Sequence, residues 1–533
     1  MTAPWFVDAV FYEVPVYAFF DADGDGIGDF RGLTEKLDYL EWLGVTCIWL
    51  LPFYESPMRD GGYDISDFRS VLPRYGTLDD VRDFLDEAHR RGLRVIADMI
   101  VNHTSDQHPW FQEARRPGSP LRSRYVWSDT ADRYTDARVI FTDTHDSNWT
   151  WDPVADAYYW HRFFDHQPDL NFDDAAVKDE IEDVIRFWLA LGFDGLRLDA
   201  VPYLFERHGT DGENLLETHA YLKRLRAMVD AEFGDRMLLA EANQWPEDVV
   251  DYFGDGDEFH MAYHFPLMPR LFMAIAQGRA DAVIDILERT PEIPDGCRWG
   301  IFLRNHDELT LEMVTEEDRE YLWDRYAPDP AMRKNLGIRR RLAPLLSGDR
   351  RRIELLNVLL LSLPGSPFLY YGDEIGMGDD FLLEDRDGVR TPMQWDDTAN
   401  AGFTTADPQD LYLPTVTSPE YSPAVVNVAD QHDDPESLLR WTREMLAVRA
   451  DTPALTGGDF RIVEANNAAV FAFVRTDHIM AVLVVANFSD DAVSTNLAID
   501  PARWAAAADS GSVEFDGSSL TLQPYAWAWF QRN

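Results

Sequence analysis

Apolar residues along this chain follow two rhythms that alternate. Short, nearly continuous apolar runs fall at 10–16, 47–53, 94–100, 195–201, 238–242, 260–265, 299–305 and 367–372. Runs of that length and composition predict strands buried on both faces. Between them, 33–43, 78–91, 176–191, 214–233 and 351–363 carry apolar residues at three- and four-residue steps, the spacing of one helix face. Eight strands, each followed by a helix or an insertion, predict an α/β fold, and eight favours a closed (β/α)8 TIM barrel over an open sheet.

Three insertions interrupt the alternation. Residues 103–170, after the third strand, lack long periodicity and are too long for a connector, so they predict an inserted domain over the barrel mouth. Residues 308–350 are charged and partly helical in pattern, and 373–435 form an elaborated loop rich in Pro, Asp and Tyr. From about residue 455 short alternating runs at 469–474, 480–488 and 519–530 predict a C-terminal β-sandwich. The expected division is therefore 1–102 and 171–454 for the barrel, 103–170 for the inserted domain and 455–533 for the sandwich.

Acids close three of the strand-like runs. Gly195-Leu196-Arg197-Leu198-Asp199 puts Arg197 and Asp199 on one face and the leucines on the other. Glu241 follows Leu238, Leu239 and Ala240, and Asp307 follows the 299–305 run through His306. A single acid of this kind is accounted for by a helix cap or a solvated strand end; three at the fourth, fifth and seventh ends are not. Retaining glycoside chemistry needs an ionised carboxylate to attack the anomeric carbon and a protonated one to release the leaving oxygen, about 5–5.5 Å apart. Arg197 is expected to depress the Asp199 pKa, fitting it as nucleophile, and the apolar approach to Glu241 suits a protonated acid. Asn102-His103 closes the third strand and Tyr63-Asp64 follows the second, at the same rim.

Composition narrows the partners. Net charge is −47, from 95 acids against 48 bases, which repels nucleic acid and anionic lipid and leaves small molecules as the expected ligands. Solubility or a salty cytoplasm is the simplest reason for that charge. Two cysteines, Cys47 and Cys297, give no disulfide framework. Neither a secretory leader nor a membrane-length apolar run is visible, so the cytoplasm is the expected compartment. Whether the chain forms a homo-oligomer stays open.

Four ordered motifs at barrel ends carry a resemblance to a known family. They are Asp98-Met99-Ile100-Val101-Asn102-His103, Gly195-Leu196-Arg197-Leu198-Asp199-Ala200, Glu241-Ala242-Asn243 and Arg304-Asn305-His306-Asp307. Together they resemble the α-amylase family of retaining glycoside hydrolases and transglycosidases. The resemblance implies Asp199 as nucleophile, Glu241 as acid/base and Asp307 as transition-state stabiliser. It also implies Asp64, His103, Arg197, His306 and Arg390 as holders of the glucosyl unit. The strings at 11–14, 199–207, 241–246, 264–270, 305–313 and 337–344 are similar to the branch that rearranges maltose into trehalose. An intramolecular transglucosylase with some hydrolysis is therefore expected. The alternatives are an α-glucosidase on isomaltose or maltose and a non-catalytic sugar-binding relative. Glu308 and Glu312 would share a face if their segment is helical, reaching the acceptor glucose with Tyr203.

Two cation sites are expected, and no organic cofactor. Asp21, Asp23, Asp25, Ile27 and Asp29 offer oxygens at alternate positions around flexible glycines, as hard cations require; Ca2+ is expected, with Mg2+ as the alternative. The family resemblance implies a second site from Asn102, Asp169 and Glu206 with the carbonyls of Tyr203 and Leu204.

Overall fold

The structure, a computed structural model, describes residues 4–499, 504–515 and 519–532; residues 1–3, at the start of the chain searched for a leader, lie outside them. Eight strands close a parallel barrel: β1 (Phe11–Val14), β2 (Cys47–Leu50), β3 (Arg94–Ile100), β4 (Gly195–Asp199), β5 (Met237–Ala240), β6 (Met261–Tyr263), β7 (Arg298–Phe302) and β8 (Ser366–Tyr370). Each strand pairs with its neighbours in sequence, and β1 closes the ring on β8. Most strands are shorter than the apolar runs that predict them, because those runs continue into loops that stay buried at the rim. Leu51 and Phe53 after β2, and Leu303 after β7, are all buried outside any strand.

The helices follow their apolar stripes. Leu78–Arg90 buries Val81, Phe84, Leu85 and Ala88 and starts at a capping box between Thr77 and Asp80. The stretch predicted as one helix over 33–43 is two, Phe30–Glu35 and Leu37–Leu43, parted at Lys36. The ammonium of Lys36 lies 3.9 and 4.1 Å from the ring centres of Phe20 and Trp395. Segment 103–170 carries a three-stranded antiparallel sheet of Trp127–Ser128, Trp149–Asp152 and Ala157–Trp160. The segment after β7 also forms a small sheet: Leu309–Thr310 pairs with Gly337–Ile338, which pairs with Arg333–Lys334. Glu308 and Glu312 thus flank a two-residue strand instead of sharing the helix face expected for them.

Beyond the barrel lie β9 (Asp459–Ile462), β10 (Val470–Thr476), β11 (Ala481–Asn487), β12 (Val493–Thr495), β13 (Ala505–Asp509), β14 (Val513–Phe515), β15 (Leu520–Leu522) and β16 (Trp527–Arg532). They form two sheets, β9-β10-β11-β16-β13 and β12-β15-β14. The 519–530 run therefore splits into two strands of different sheets, turning at Tyr525 with a φ of 59°. Alternation in β10 explains how the sheets attach: Phe471 and Phe473 join the main core, while Val470, Ala472 and Val474 join a separate core with Leu520 and Leu522. Beneath the barrel Arg449 donates to the carbonyls of Leu361 and Leu455, Arg475 to those of Ser362 and Gly458, and Arg298 to those of Gly365 and Thr456. These carbonyls end the helices Arg350–Ser362 and Pro453–Gly457 or follow them closely, where intrahelical donors run out. Among the described residues no helix is long and apolar enough to cross a membrane.

Candidate active site

Strand alignment builds the centre of the site. Asp98 on β3 sits beside Arg197 on β4, and Ile100 beside Asp199. Arg197 is fully buried and its guanidinium gathers three acids: Asp98 at 2.7 Å, Asp199 at 2.5 Å and Glu241 at 2.6 Å. Directly after Asp199 the chain turns through Ala200, whose φ of 55° is left-handed and unusual for a side chain. That turn aims the Ala200 N–H at Glu241 Oε2, 3.1 Å away. Such a conformation persists only where the surroundings over-determine it.

Electrostatics separates their protons. Burial pushes Glu241 up to about 8, with Arg197 opposing and the carboxylates of Asp199 and Asp307 adding to the rise. Burial also pushes Asp199 up to about 6, against Arg197. The expected depression of Asp199 is therefore reversed, because loss of water outweighs one cation already shared among three acids. The order survives: Asp199 ionises before Glu241. Burial works against Asp307 as well, yet His306, Arg386 and Arg390 hold it well below the usual carboxylate range. Its Oδ1 accepts from Arg386 at 2.8 Å and Arg390 at 3.1 Å.

A hydrogen-bonded string backs these acids. Glu13 on β1 meets His306 Nδ1 at 2.5 Å, His306 Nε2 lies 2.7 Å from the Tyr63 hydroxyl, and Tyr63 donates to Asp98 at 2.8 Å. Since His306 Nε2 is also 3.3 Å from ionised Asp307, it carries a proton there. Glu13, Tyr63 and Asp98 are absent from the residues assigned by sequence. The signal was present for Glu13 and Asp98, each an acid inside an apolar strand.

One cavity joins most of the expected residues. Asp199, Glu241, Asp307, His103, Tyr203, Glu308 and Glu312 line it. Arg197, His306 and Arg390 stand behind its wall, Arg390 donating to the His306 carbonyl at 2.9 Å. Asp64 does not line it. Its carboxylate is wholly buried and accepts from Ser56 and from the backbone of Arg59 and Asp60. Asp60 lines the cavity instead and pairs with Arg386 at 2.7 Å. Distant segments meet at two of the cavity's lining acids, Glu308 and Glu312. Arg138 donates to Glu213 at 2.8 Å, Glu312 at 2.7 Å and the Tyr203 hydroxyl at 3.0 Å. Asn335 donates its side-chain amide to Glu308 at 3.1 Å and its backbone N–H to Asp143 at 2.6 Å. Nothing in the sequence marks Arg138 or Asn335, since both lie in irregular segments.

Asp21, Asp23 and Asp29 converge within 4.8 Å as a candidate metal-binding cluster. Asp25 is turned away to Arg74 at 2.9 Å, and Ile27 donates its N–H to Asp25. Elsewhere Asn102 Oδ1, Asp169 Oδ2 and Glu206 Oε1 are each buried without a hydrogen-bond partner. Such orphaned oxygens are costly unless something fills the site.

Known proteins place this architecture. Residues 15–327 and 339–458 match the alpha-amylase catalytic domain, and 460–529 match the C-terminal domain of maltogenic amylase. The chain belongs to the α-amylase family. Among solved structures it is similar to the alpha-glucosyl transfer enzyme XgtA, with 30% identity and a TM-score of 0.84 over both whole chains. The trehalulose synthase MutB from Pseudomonas mesoacidophila, at 29% identity over both whole chains, gives a TM-score of 0.81. The trehalose synthase/amylase TreS of Mycobacterium tuberculosis is 59% identical over 99% of this chain and 90% of its own length. The trehalose synthase of Thermus thermophilus is 55% identical over 91% of this chain and 50% of its own. Within the family, the chain belongs with the trehalose synthases.

Proposed function

We propose that this protein interconverts maltose and trehalose by an intramolecular, retaining double displacement, with some glucosyl units lost to water. Asp199 attacks the anomeric carbon of the bound glucosyl unit while Glu241 gives its proton to the departing oxygen. Ionised Asp307 stabilises the positive charge developing on the ring, and Arg386 and Arg390 hold that carboxylate ionised and in place. The freed glucose turns within the pocket, Glu241 withdraws the proton of its anomeric hydroxyl, and that oxygen displaces Asp199. Two inversions retain the α configuration.

The observation that carries this reading is that Arg138 and Asn335 tie separate segments to Glu312 and Glu308, two acids that line the cavity; we assign these segments as the roof of the acceptor side. A covered acceptor side retains the glucose and delays water. Incubation with maltose tests it: trehalose should accumulate ahead of glucose, whereas glucose alone would assign a glucosidase.

Ca2+ is the proposed occupant of both cation sites. Asn102, Asp169 and Glu206, with the carbonyls of Tyr203 and Leu204, would hold one ion; Asp21, Asp23 and Asp29 the other. An ion at the first would neutralise buried carboxylates and pin the inserted segment to the loop carrying Tyr203. Chelation should therefore lower the melting temperature and readdition of Ca2+ restore it; identical curves together with metal-free elemental analysis would reject both sites.

A further inference from the structure

Arg304 has no part in the chemistry above, yet it lies between two parts of the site. Its guanidinium is buried; Nε donates to the carbonyl of Arg340 at 2.7 Å and Nη2 to the carbonyl of Asp307 at 2.5 Å. The Asp307 carbonyl belongs to the peptide linking Asp307, which faces the reacting sugar, to Glu308, which faces the acceptor. Fixing that one peptide sets both side chains. The Arg340 carbonyl stands at the base of the hairpin formed by Arg333–Lys334 and Gly337–Ile338. Asn335, at the tip of that hairpin, holds Glu308. The hairpin packs so closely that a Cβ at Gly337 would lie 2.5 Å from Glu308 Cγ.

We infer that Arg304 is a positioning residue that sets the balance between isomerisation and hydrolysis, by bracketing the catalytic turn to the hairpin that walls the acceptor side. This rests on the isomerase reading above. The planar fork of an arginine spans two carbonyls at fixed separation; a lysine keeps the charge but offers only a point donor on a flexible stem. Without the bracket, the hairpin and Glu308 move independently of Asp307. The glucosyl-enzyme still forms, but the freed glucose is held less well against water.

The experiment compares the parent, Arg304→Lys and Gly337→Ala on maltose, resolving trehalose from glucose, with melting temperatures recorded in parallel. Gly337→Ala reaches the same wall through different atoms, by pressing on Glu308. In both variants trehalose formation should fall about threefold more than glucose release. A merely structural role would lower the two together. An unchanged glucose-to-trehalose ratio in the folded variants overturns the inference, and if Arg304→Lys does not fold, Arg304→Gln, which loses the guanidinium fork, decides in its place. A parent that makes only glucose from maltose instead overturns the isomerase reading itself, and the inference with it.

Discussion

Two groups of arginines, buried except for the half-buried Arg298, sit at opposite ends of the barrel and do different work. At the strand C-termini, Arg197, Arg386 and Arg390 all face carboxylates, between them Asp60, Asp98, Asp199, Glu241, Asp307 and Asp385. At the other end Arg298, Arg449 and Arg475 donate to helix-end carbonyls and one hydroxyl, with no carboxylate in ion-pair reach among the described residues. Burial and their mutual repulsion bring Arg449 down to about 9, whereas Arg197 is held well above its ordinary value by the acids around it despite its burial. A guanidinium facing acids decides which acid keeps its proton; one facing carbonyls fastens helix ends. The first kind should govern rate and the second stability.

Removing a reacting acid should give the largest effect. Asp199→Ala or Glu241→Gln should lower turnover on the order of 10⁴-fold or more, with the melting temperature essentially kept because Arg197 retains two partners. Near-normal maltose conversion by either variant would refute the assigned roles. At the other end, Arg449→Met removes a cation and strands the carbonyls of Leu361 and Leu455. A loss of about 2–3 kcal/mol of folding stability is expected, read by urea titration, while kcat of the folded enzyme stays unchanged. A kinetic defect from Arg449→Met would erase the distinction.

Effects of pH come next. With the proposed roles, activity needs Asp199 ionised and Glu241 protonated, so it should fall below about pH 6 and above about pH 8, by about tenfold for each further unit. Both limbs belong to the upper arginine group, so Arg449→Met should leave them in place. A profile flat from pH 5 to 9 would contradict the proton order.

How much of this is legible in sequence depends on periodicity. The predicted run 94–100 coincides with β3 at both ends. The fourth, fifth and seventh strand ends also reveal Asp199, Glu241 and the Asn305-His306-Asp307 turn, since a charged group at a buried strand end needs a reason. Asp64 misleads by position: it follows Tyr63, but the turn from Asp60 points Asp60 and Tyr63 into the cavity and buries Asp64 beneath them. Arg138, Glu213 and Asn335 leave no trace, because irregular loops meet through tertiary packing rather than through any repeat. The lower arginines are equally silent: helix-end carbonyls exist in every helix, and only the folded chain shows which side chain reaches them.

Arg138 is a third kind of arginine and should produce the smallest effect. It is neither buried among acids nor set beneath a helix: its side chain is 36% exposed, and its partners Glu213 and Glu312 come from separate segments. Water reaches chiefly the arginine end of these pairs, since Glu213 and Glu312 are 10% and 17% exposed, and such partly screened pairs contribute about 1 kcal/mol. Cutting the latch with Arg138→Ala therefore cannot collapse the fold, and the reacting acids keep their neighbours. What changes is how long the roof stays shut over the freed glucose. An energy of that size corresponds to a change of at most about fivefold in the fraction of open states, so the glucose-to-trehalose ratio should rise by a factor of two to five, roughly. Raised salt should move the parent in the same direction and the variant much less, because the latch is ionic. A ratio that responds to neither the substitution nor salt would show that the roof is held by packing, leaving the exposed arginine with no share in partitioning.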